Sequence, residues 1–247
     1  MRIKSFIILM FVILSCMVSC KKAPLTVGKI VTESRELSDF NEVHLNDDIS
    51  LILVRSDTNY IEITTGENIM ENITTEISDS VLTISNKSSL EWIRPYDYKR
   101  EAILYYKDIK RFIFASCGTS TSANQYNDSI SNYYFEVNGG SGDIDLEVSN
   151  CDELYFRYQY GTSRANLHGE NNKCLIVLKK SYGIFDASDC QTEDINITNV
   201  YVGDCYIYAT KSIVSEITQL GNIYYKGNPD SIVEKYGPNS KGKLIKL

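Results

Sequence analysis

Asp145, Arg164 and Asp186 each stand three residues after a glycine, at Gly142, Gly161 and Gly183. Tyr206 and Tyr224 hold the same position after Gly203 and Gly221, and Tyr208 follows two residues beyond the first of them. If the chain returns to one side of the molecule after each glycine, the first three form a carboxylate–guanidinium–carboxylate ladder at a strand spacing of about 5 Å. Carboxylates beside Arg on such a face can do acid/base work on a polysaccharide. The simpler reading is a surface charge ladder, which contributes only about 0–1 kcal/mol per pair. The tyrosines extend the face as an aromatic patch, suited to sugar rings or to a protein partner, because each ring buries much area at low entropic cost. Stacked rings also hold neighbouring coils together.

Other chemistry finds fewer supports. His44 and His168, the only two histidines, are far apart in the chain, and no Ser/His/Asp or Cys/His set assembles around either. The stretch "GGSGDIDLE", residues 139–147, is close to a calcium-binding nonapeptide, but Ile144 stands where that pattern requires Asp, and the motif is not iterated. No CxxC or Cys/His spacing suggests zinc. No metal, cofactor or catalytic residue is therefore expected. The binding candidates are Tyr206, Tyr208, Tyr224, Asp145, Arg164 and Asp186.

The elements that must position these residues recur with the glycines. Gly118, Gly142, Gly161, Gly183, Gly203, Gly221 and Gly242 are separated by steps of 24, 19, 22, 20, 18 and 21 residues. Each opens a short alternating run, such as "GDIDLEV" or "GDCYIYA". The second residue after each glycine gives the column Ile144, Ser163, Phe185, Cys205, Ile223. The fourth gives Leu146, Ala165, Ala187, Ile207, Tyr225. Both are read as inward-facing, since alternate side chains of a strand share a face. About ten residues further on, Leu154, Cys174, Ile195, Ile213 and Ile232 form another inward column, followed by Phe156, Ile176 and Ile197. Two short strands per roughly 20-residue repeat, without helical periodicity, describe an all-β solenoid. Glycine recurs where the chain turns a crowded corner. Cys174 and Cys205 then behave as small core hydrophobes. Cys151 and Cys190 fall two coils apart, about 9–10 Å, beyond the reach of a disulfide.

Residues 34–112 read differently. "FNEVHLN", "ISLILVR", "YIEITTG", "SVLTISN", "AILYYK" and "KRFIFAS" are strand-like runs joined by polar turns, while "SSLEWIRPYDY" is an excursion loop. They form an antiparallel β-rich half that caps the solenoid of residues 113–247 and is continuous with it. Ahead of it, Arg2 and Lys4 precede the nine-residue apolar run Phe6 to Leu14, too short to span a bilayer and suited to a secretory leader. Ile13-Leu14-Ser15-Cys16 and Met17-Val18-Ser19-Cys20 both have the form of a bacterial lipobox, the second being the better fit. The expectation is a lipoprotein signal peptide over 1–19, acylation of Cys20, and a tether over 20–33. Loss of Arg2 and Lys4 with the leader takes the net charge from -7 to -9, so the basic footprint of a nucleic-acid binder is absent.

With that order of elements, the chain resembles the bacterial "putative auto-transporter adhesin, head GIN domain" family. The stretches that carry the resemblance are "FNEVHLNDDISLILVRSDTNYIEITTGENIMENITTEISDSVLTISN", "GGSGDIDLEV", "GNIYYKGNPDSI" and "GKLIKL". They cover nearly all of the chain after its leader. The resemblance implies a right-handed β-helix on an exported, lipid-anchored envelope protein of Bacteroidetes-type bacteria, with adhesion as its role. It brings no catalytic or binding residue. "YQYGTS", "KSYGIF" and "VYVGDC" replace the family's usual Ser-Gly-Ala-Gly turns. Asp79-Ser80-Val81, Asp128-Ser129-Ile130 and Asp230-Ser231-Ile232 resemble the O-glycosylation signal of secreted proteins in that group. The function expected is non-enzymatic presentation of a rigid surface to a glycan or an envelope protein. The alternatives are a carbohydrate-active β-helix enzyme using Asp145, Arg164 and Asp186, and a purely structural envelope protein.

Overall fold

The structure, a computed structural model, describes residues 26–89, 94, 97–123, 130–179 and 182–247; the leader with Cys16 and Cys20, Trp92, and Asp128-Ser129 lie outside the described residues. No helix among the described residues is long and apolar enough to cross a membrane. The described chain forms eighteen strands. They are β1 (Ile30–Glu36), β2 (Glu42–Asp47), β3 (Ser50–Arg55), β4 (Tyr60–Gly66), β5 (Ile73–Ser78) and β6 (Val81–Asn86). Next come β7 (Glu101–Tyr106), β8 (Arg111–Ser116), β9 (Ser120–Ser122), β10 (Ile130–Asn138), β11 (Ile144–Glu147) and β12 (Cys151–Tyr160). The last are β13 (Arg164–Leu178), β14 (Ile184–Asn199), β15 (Cys205–Ile217), β16 (Ile223–Lys226), β17 (Ser231–Tyr236) and β18 (Leu244–Lys246). A single 3-10 turn, Met70–Asn72, precedes β5.

These strands wind into a β-solenoid of about 6 turns with about 21 residues per turn. Its first sheet stacks β1, β4, β7, β3, β9, β11, β13, β14, β15, β16 and β18 in that order. Its second stacks β5, β6, β2, β8, β10, β12, β13, β14, β15 and β17. β13, β14 and β15 run through both sheets, and their registers break near Asn166/His168 and Ala187/Gln191, where the chain rounds the corner. Among the described residues antiparallel pairing is confined to β1–β4, β4–β7 and β5–β6; the pairings of β2, β3, β8 and β9 are parallel. The coil formed by β2 and β3 lies between the later coils β6–β7 and β8–β9.

Period-two alternation builds the core. Leu82, Val43, Phe112, Phe135, Phe156, Ile176, Ile197 and Ser215 are neighbours in one inward column of the second sheet, all of them buried. Beside it the expected column Leu154–Cys174–Ile195–Ile213–Ile232 is in register throughout. Stacked coils let each side chain desolvate its neighbours above and below, so the apolar area leaves water along the whole axis. Cys151, Cys174, Cys190 and Cys205 are buried free thiols and Cys117 is exposed. Burial pushes the Cys151 thiol up to about 12 and the Cys190 thiol up to about 11. Both are thus protonated and unreactive near neutrality.

One register differs from the expected alignment. Ile144 pairs with Ala165, and Ala165 with Phe185, so Ser163, not Gly161, stands in the glycine column between Gly142 and Gly183. β12 runs on to Tyr160, and Gly161 is used in the following turn at φ +115°, over the carbonyl of Gly140. A turn that needs left-handed backbone takes glycine whatever its column. The inward columns are therefore Ile144–Ala165–Phe185–Cys205–Ile223 and, on either side of the register break, Leu146–Leu167 and Ala187–Ile207–Tyr225. In the true column glycine answers to close approach: a Cβ on Gly142 would lie 1.9 Å from the Gly118 carbonyl oxygen.

The two ends of the stack differ. β1, β4, β5 and the 3-10 turn cover the first end, where Ile69, Met70 and Ile73 are buried. At the other end every residue of β17 is exposed, and Ile232 is 39% exposed although Ile213, its neighbour in the column, is fully buried. The next inward position is Glu234, in register with Ser215, and its carboxylate accepts a hydrogen bond from the Tyr236 hydroxyl.

Candidate functional site

The outward face of the first sheet carries the residues singled out above, with one exchange. Asp145 pairs with Asn166, Asn166 with Asp186, Asp186 with Tyr206 and Tyr206 with Tyr224, on five successive strands. Arg164 does not join them. It is in register with Ile184, two residues before the row position, because the turn at Gly161 shifts the alignment by two. The row contains no guanidinium between two carboxylates.

Each member is held by its neighbours. The Asp145 Oδ1 lies 3.2 Å from Nε2 of His168, and the Asp186 Oδ1 accepts the backbone N–H of Ser188 at 2.9 Å. The rings of Tyr206 and Tyr224 are 5.2 Å apart at an interplanar angle of 15°. Rings so close and so nearly parallel turn their faces to each other, and the Tyr224 hydroxyl accepts from Asn222 Nδ2 at 3.4 Å. Desolvation, with Asp204, Tyr224 and Asp186 nearby, raises the Tyr206 phenol above the ordinary range, which keeps it a neutral hydroxyl. Tyr208 is in register with Lys226, whose Nζ lies 3.2 Å from Asp189 Oδ1. The row thus offers hydroxyl donors and carboxylate acceptors at fixed strand intervals on a rigid support.

A second outward cluster escaped the sequence reading. On the second sheet Tyr134 and Tyr155 stack at 4.6 Å and 10°, and the Arg111 guanidinium lies 4.7 Å over the Tyr134 ring. The Tyr134 hydroxyl donates to Glu136 Oε2 at 2.6 Å; that carboxylate also faces Arg111 at 3.7 Å and Arg157 at 3.9 Å. Arg111 reaches Glu42 at 3.6 Å, and Glu42 lies 2.6 Å from His44 Nε2. The alternation in "NYYFEV" and "ELYFRYQY" marks Tyr134, Glu136, Tyr155 and Arg157 as outward. Only the 21-residue offset between β10 and β12 sets them side by side. A third stack, Tyr60 on Tyr105 at 4.1 Å and 6°, joins strands that pair out of chain order. Among the described residues no group of three or more His, Cys, Asp or Glu is placed to hold a metal ion.

A family model described as "Putative auto-transporter adhesin, head GIN domain" matches residues 39–229. Among solved structures, a "putative adhesin" from Bacteroides fragilis is similar with a TM-score of 0.79 and 19% identity, over 90% of this chain and 99% of that one. A "putative lipid binding protein" from Parabacteroides distasonis is similar with a TM-score of 0.66 and 20% identity, over 89% and 97%. A "putative adhesin" from Parabacteroides merdae has a TM-score of 0.55 and 21% identity, over 89% and 97%. At these identities the likeness is one of fold. No curated protein matches the chain.

Proposed function

This chain belongs to the family described as "Putative auto-transporter adhesin, head GIN domain", and from that premise we propose that it is a non-enzymatic adhesion protein of the cell envelope. In this reading the leader is removed, Cys20 carries the lipid that holds the protein to the outer membrane, and the solenoid presents its first sheet to a glycan or an envelope protein. One observation carries the proposal: Asp145, Asn166, Asp186, Tyr206 and Tyr224 form one continuous outward row on consecutive strands. A row of hydroxyls and carboxylates at constant spacing suits a partner with its own repeated polar groups.

The carbohydrate-active reading required Arg164 between Asp145 and Asp186, and the register puts Asn166 there instead. Without that guanidinium the row lacks the charge pattern that suggested acid/base work.

The test is adhesion of beads or cells displaying the protein to a panel of envelope proteins and polysaccharides. Tyr206→Ala with Tyr224→Ala should weaken it by about tenfold or more, since aromatic side chains dominate hot spots at roughly 2 kcal/mol. Arg164→Ala should change it little. Adhesion indifferent to the tyrosine pair, or release of reducing ends or unsaturated products that Asp186→Asn abolishes, would overturn the reading. For the anchor, Cys20→Ala should leave an unprocessed precursor and remove acyl labelling. Labelling lost only with Cys16→Ala would move the anchor to that residue.

A further inference from the structure

Near-parallel ring stacking hides the inner faces of each tyrosine ladder, so an aromatic face stays open only where a ladder ends. In the second sheet Arg111 covers the end face of Tyr134. Tyr60 is different. Its ring is 4.1 Å from that of Tyr105 and within 6° of parallel. The register of β4 puts Tyr105 on one side of Tyr60 and Glu36 of β1 on the other. Around Tyr60 lies a cavity of about 440 Å³, lined by Ser34, Glu36 and Leu37 from β1 and its end, Thr58, Asn59 and Tyr60 itself, and Lys107 just past β7.

The rim of this cavity is tied together by one residue, through its backbone carbonyl and its side-chain amide. Asn59 accepts the Leu37 N–H on its carbonyl at 3.1 Å and the Lys107 N–H on its side-chain Oδ1 at 2.9 Å. Its Nδ2 donates to Asp39 Oδ1 at 3.0 Å, and the Lys107 ammonium lies 3.5 Å from that same oxygen. Three segments that meet only through the fold are thereby joined: the chain leaving β1, the turn between β3 and β4, and the end of β7. A cavity with such a rim is formed before any ligand arrives, which lowers the ordering cost of binding.

We propose that this cavity is a saccharide site that takes one pyranose ring, its C–H face against Tyr60 and its hydroxyls on the polar rim. A sugar ring is amphipathic in the sense the cavity requires, with one apolar face and hydrogen-bonding groups around its edge. Glu36 accepts from hydroxyls, Lys107 donates to them, and Ser34 and Thr58 can do either. An apolar ligand would leave those groups unpaired, at a cost that selects against it. The volume lies within the range of small-ligand sites. The site does not depend on the Tyr206–Tyr224 row, which is seven strand spacings away along the first sheet, or about 34 Å.

Saturation-transfer NMR and titration of the full-length protein test this, with methyl β-glucoside, methyl β-galactoside, methyl α-mannoside and N-acetylglucosamine as probes. At least one should receive saturation most strongly at its ring C–H protons. Tyr60→Ala should weaken that binding by about tenfold, whereas Tyr60→Phe should keep it within about twofold. Glu36→Gln, an exposed change that threatens no core contact, should also weaken it by about tenfold and decides the matter if Tyr60→Ala does not fold. The Tyr206→Ala, Tyr224→Ala double variant should bind the sugar as the parent does, even if it no longer adheres. The proposal is overturned if none of the four probes binds, if Glu36→Gln and a folded Tyr60→Ala both bind unchanged, or if the double variant abolishes binding.

Discussion

Ile195 and Asn196 are adjacent in the chain and have opposite surroundings. Ile195 is 3% exposed between Cys174 and Ile213, while Asn196 faces outward between Leu175 and Val214. Ile195→Asp puts an unpaired carboxylate into the stacked interior and should cost several kcal/mol, of the order of the whole stability of a marginal protein. Asn196→Asp should be near neutral; urea denaturation of the two variants makes the comparison. Equal losses would mean that the inward and outward sets are exchanged. The thiols allow a second check at the same scale. Native protein treated with iodoacetamide should be modified at Cys117 and protected at Cys151, Cys174, Cys190 and Cys205, with peptide mapping as the readout. Modification of the buried four at the rate of Cys117 would contradict the packing.

Among the elements, β17 carries the clearest design against unwanted pairing. An exposed edge strand offers unpaired backbone groups to any other strand, and charged or inward-pointing polar residues blunt it. β17 has Lys235 outward and Glu234 inward, in register with the buried Ser215. Glu234→Leu should therefore raise the apparent mass in light scattering at tens of micromolar, relative to the parent at equal concentration. An unchanged mass would remove that role from Glu234.

The same elements explain what could be read in advance. The column from Leu154 to Ile232 was legible because a strand alternates with period two and the spacing between coils is nearly constant there. Gly161 misled because glycine marks both a close approach and a positive φ, and the letter does not say which. That two-residue slip placed Arg164 in a row that Asn166 occupies. The Tyr60–Tyr105 pair was invisible for another reason: β3 stacks between β7 and β9, and no local pattern records an order in space that departs from the order in sequence.

At the scale of the whole molecule, the first sheet stacks eleven strands, a column of about 48 Å at 4.8 Å per spacing. β1, whose residues Ile30 to Glu33 are paired strand rather than the last part of the expected tether, is at one end, and β18 is at the other. With a lipid at Cys20, the end that holds Tyr60 stands nearest the membrane and the Tyr206–Tyr224 pair stands well out from it. A fluorophore at Lys29 in vesicle-bound protein should then be quenched by bilayer quenchers more than one at Asn239. Equal quenching would mean that the solenoid lies along the membrane, with its long face rather than its far end accessible.

The nesting of β2–β3 between β6–β7 and β8–β9 imposes a timetable on a chain that emerges N-terminus first. The coil that emerges first is the one that needs partners on both edges. The lower partner, β6–β7, is complete only at Tyr106, and the upper, β8–β9, only at Ser122. Before Tyr106, Val43, Leu45, Leu51 and Leu53, all buried in the finished molecule, lack a complete neighbouring coil on either side, and before Ser122 they still lack the upper one. This end cannot wind up turn by turn as it emerges. It must wait and close as a unit of long sequence separation, a slow kind of nucleus. The coils from β10 onward can then add one at a time to a finished template. Val43→Ala should accordingly slow folding, whereas Ile213→Ala, near the open end, should chiefly speed unfolding.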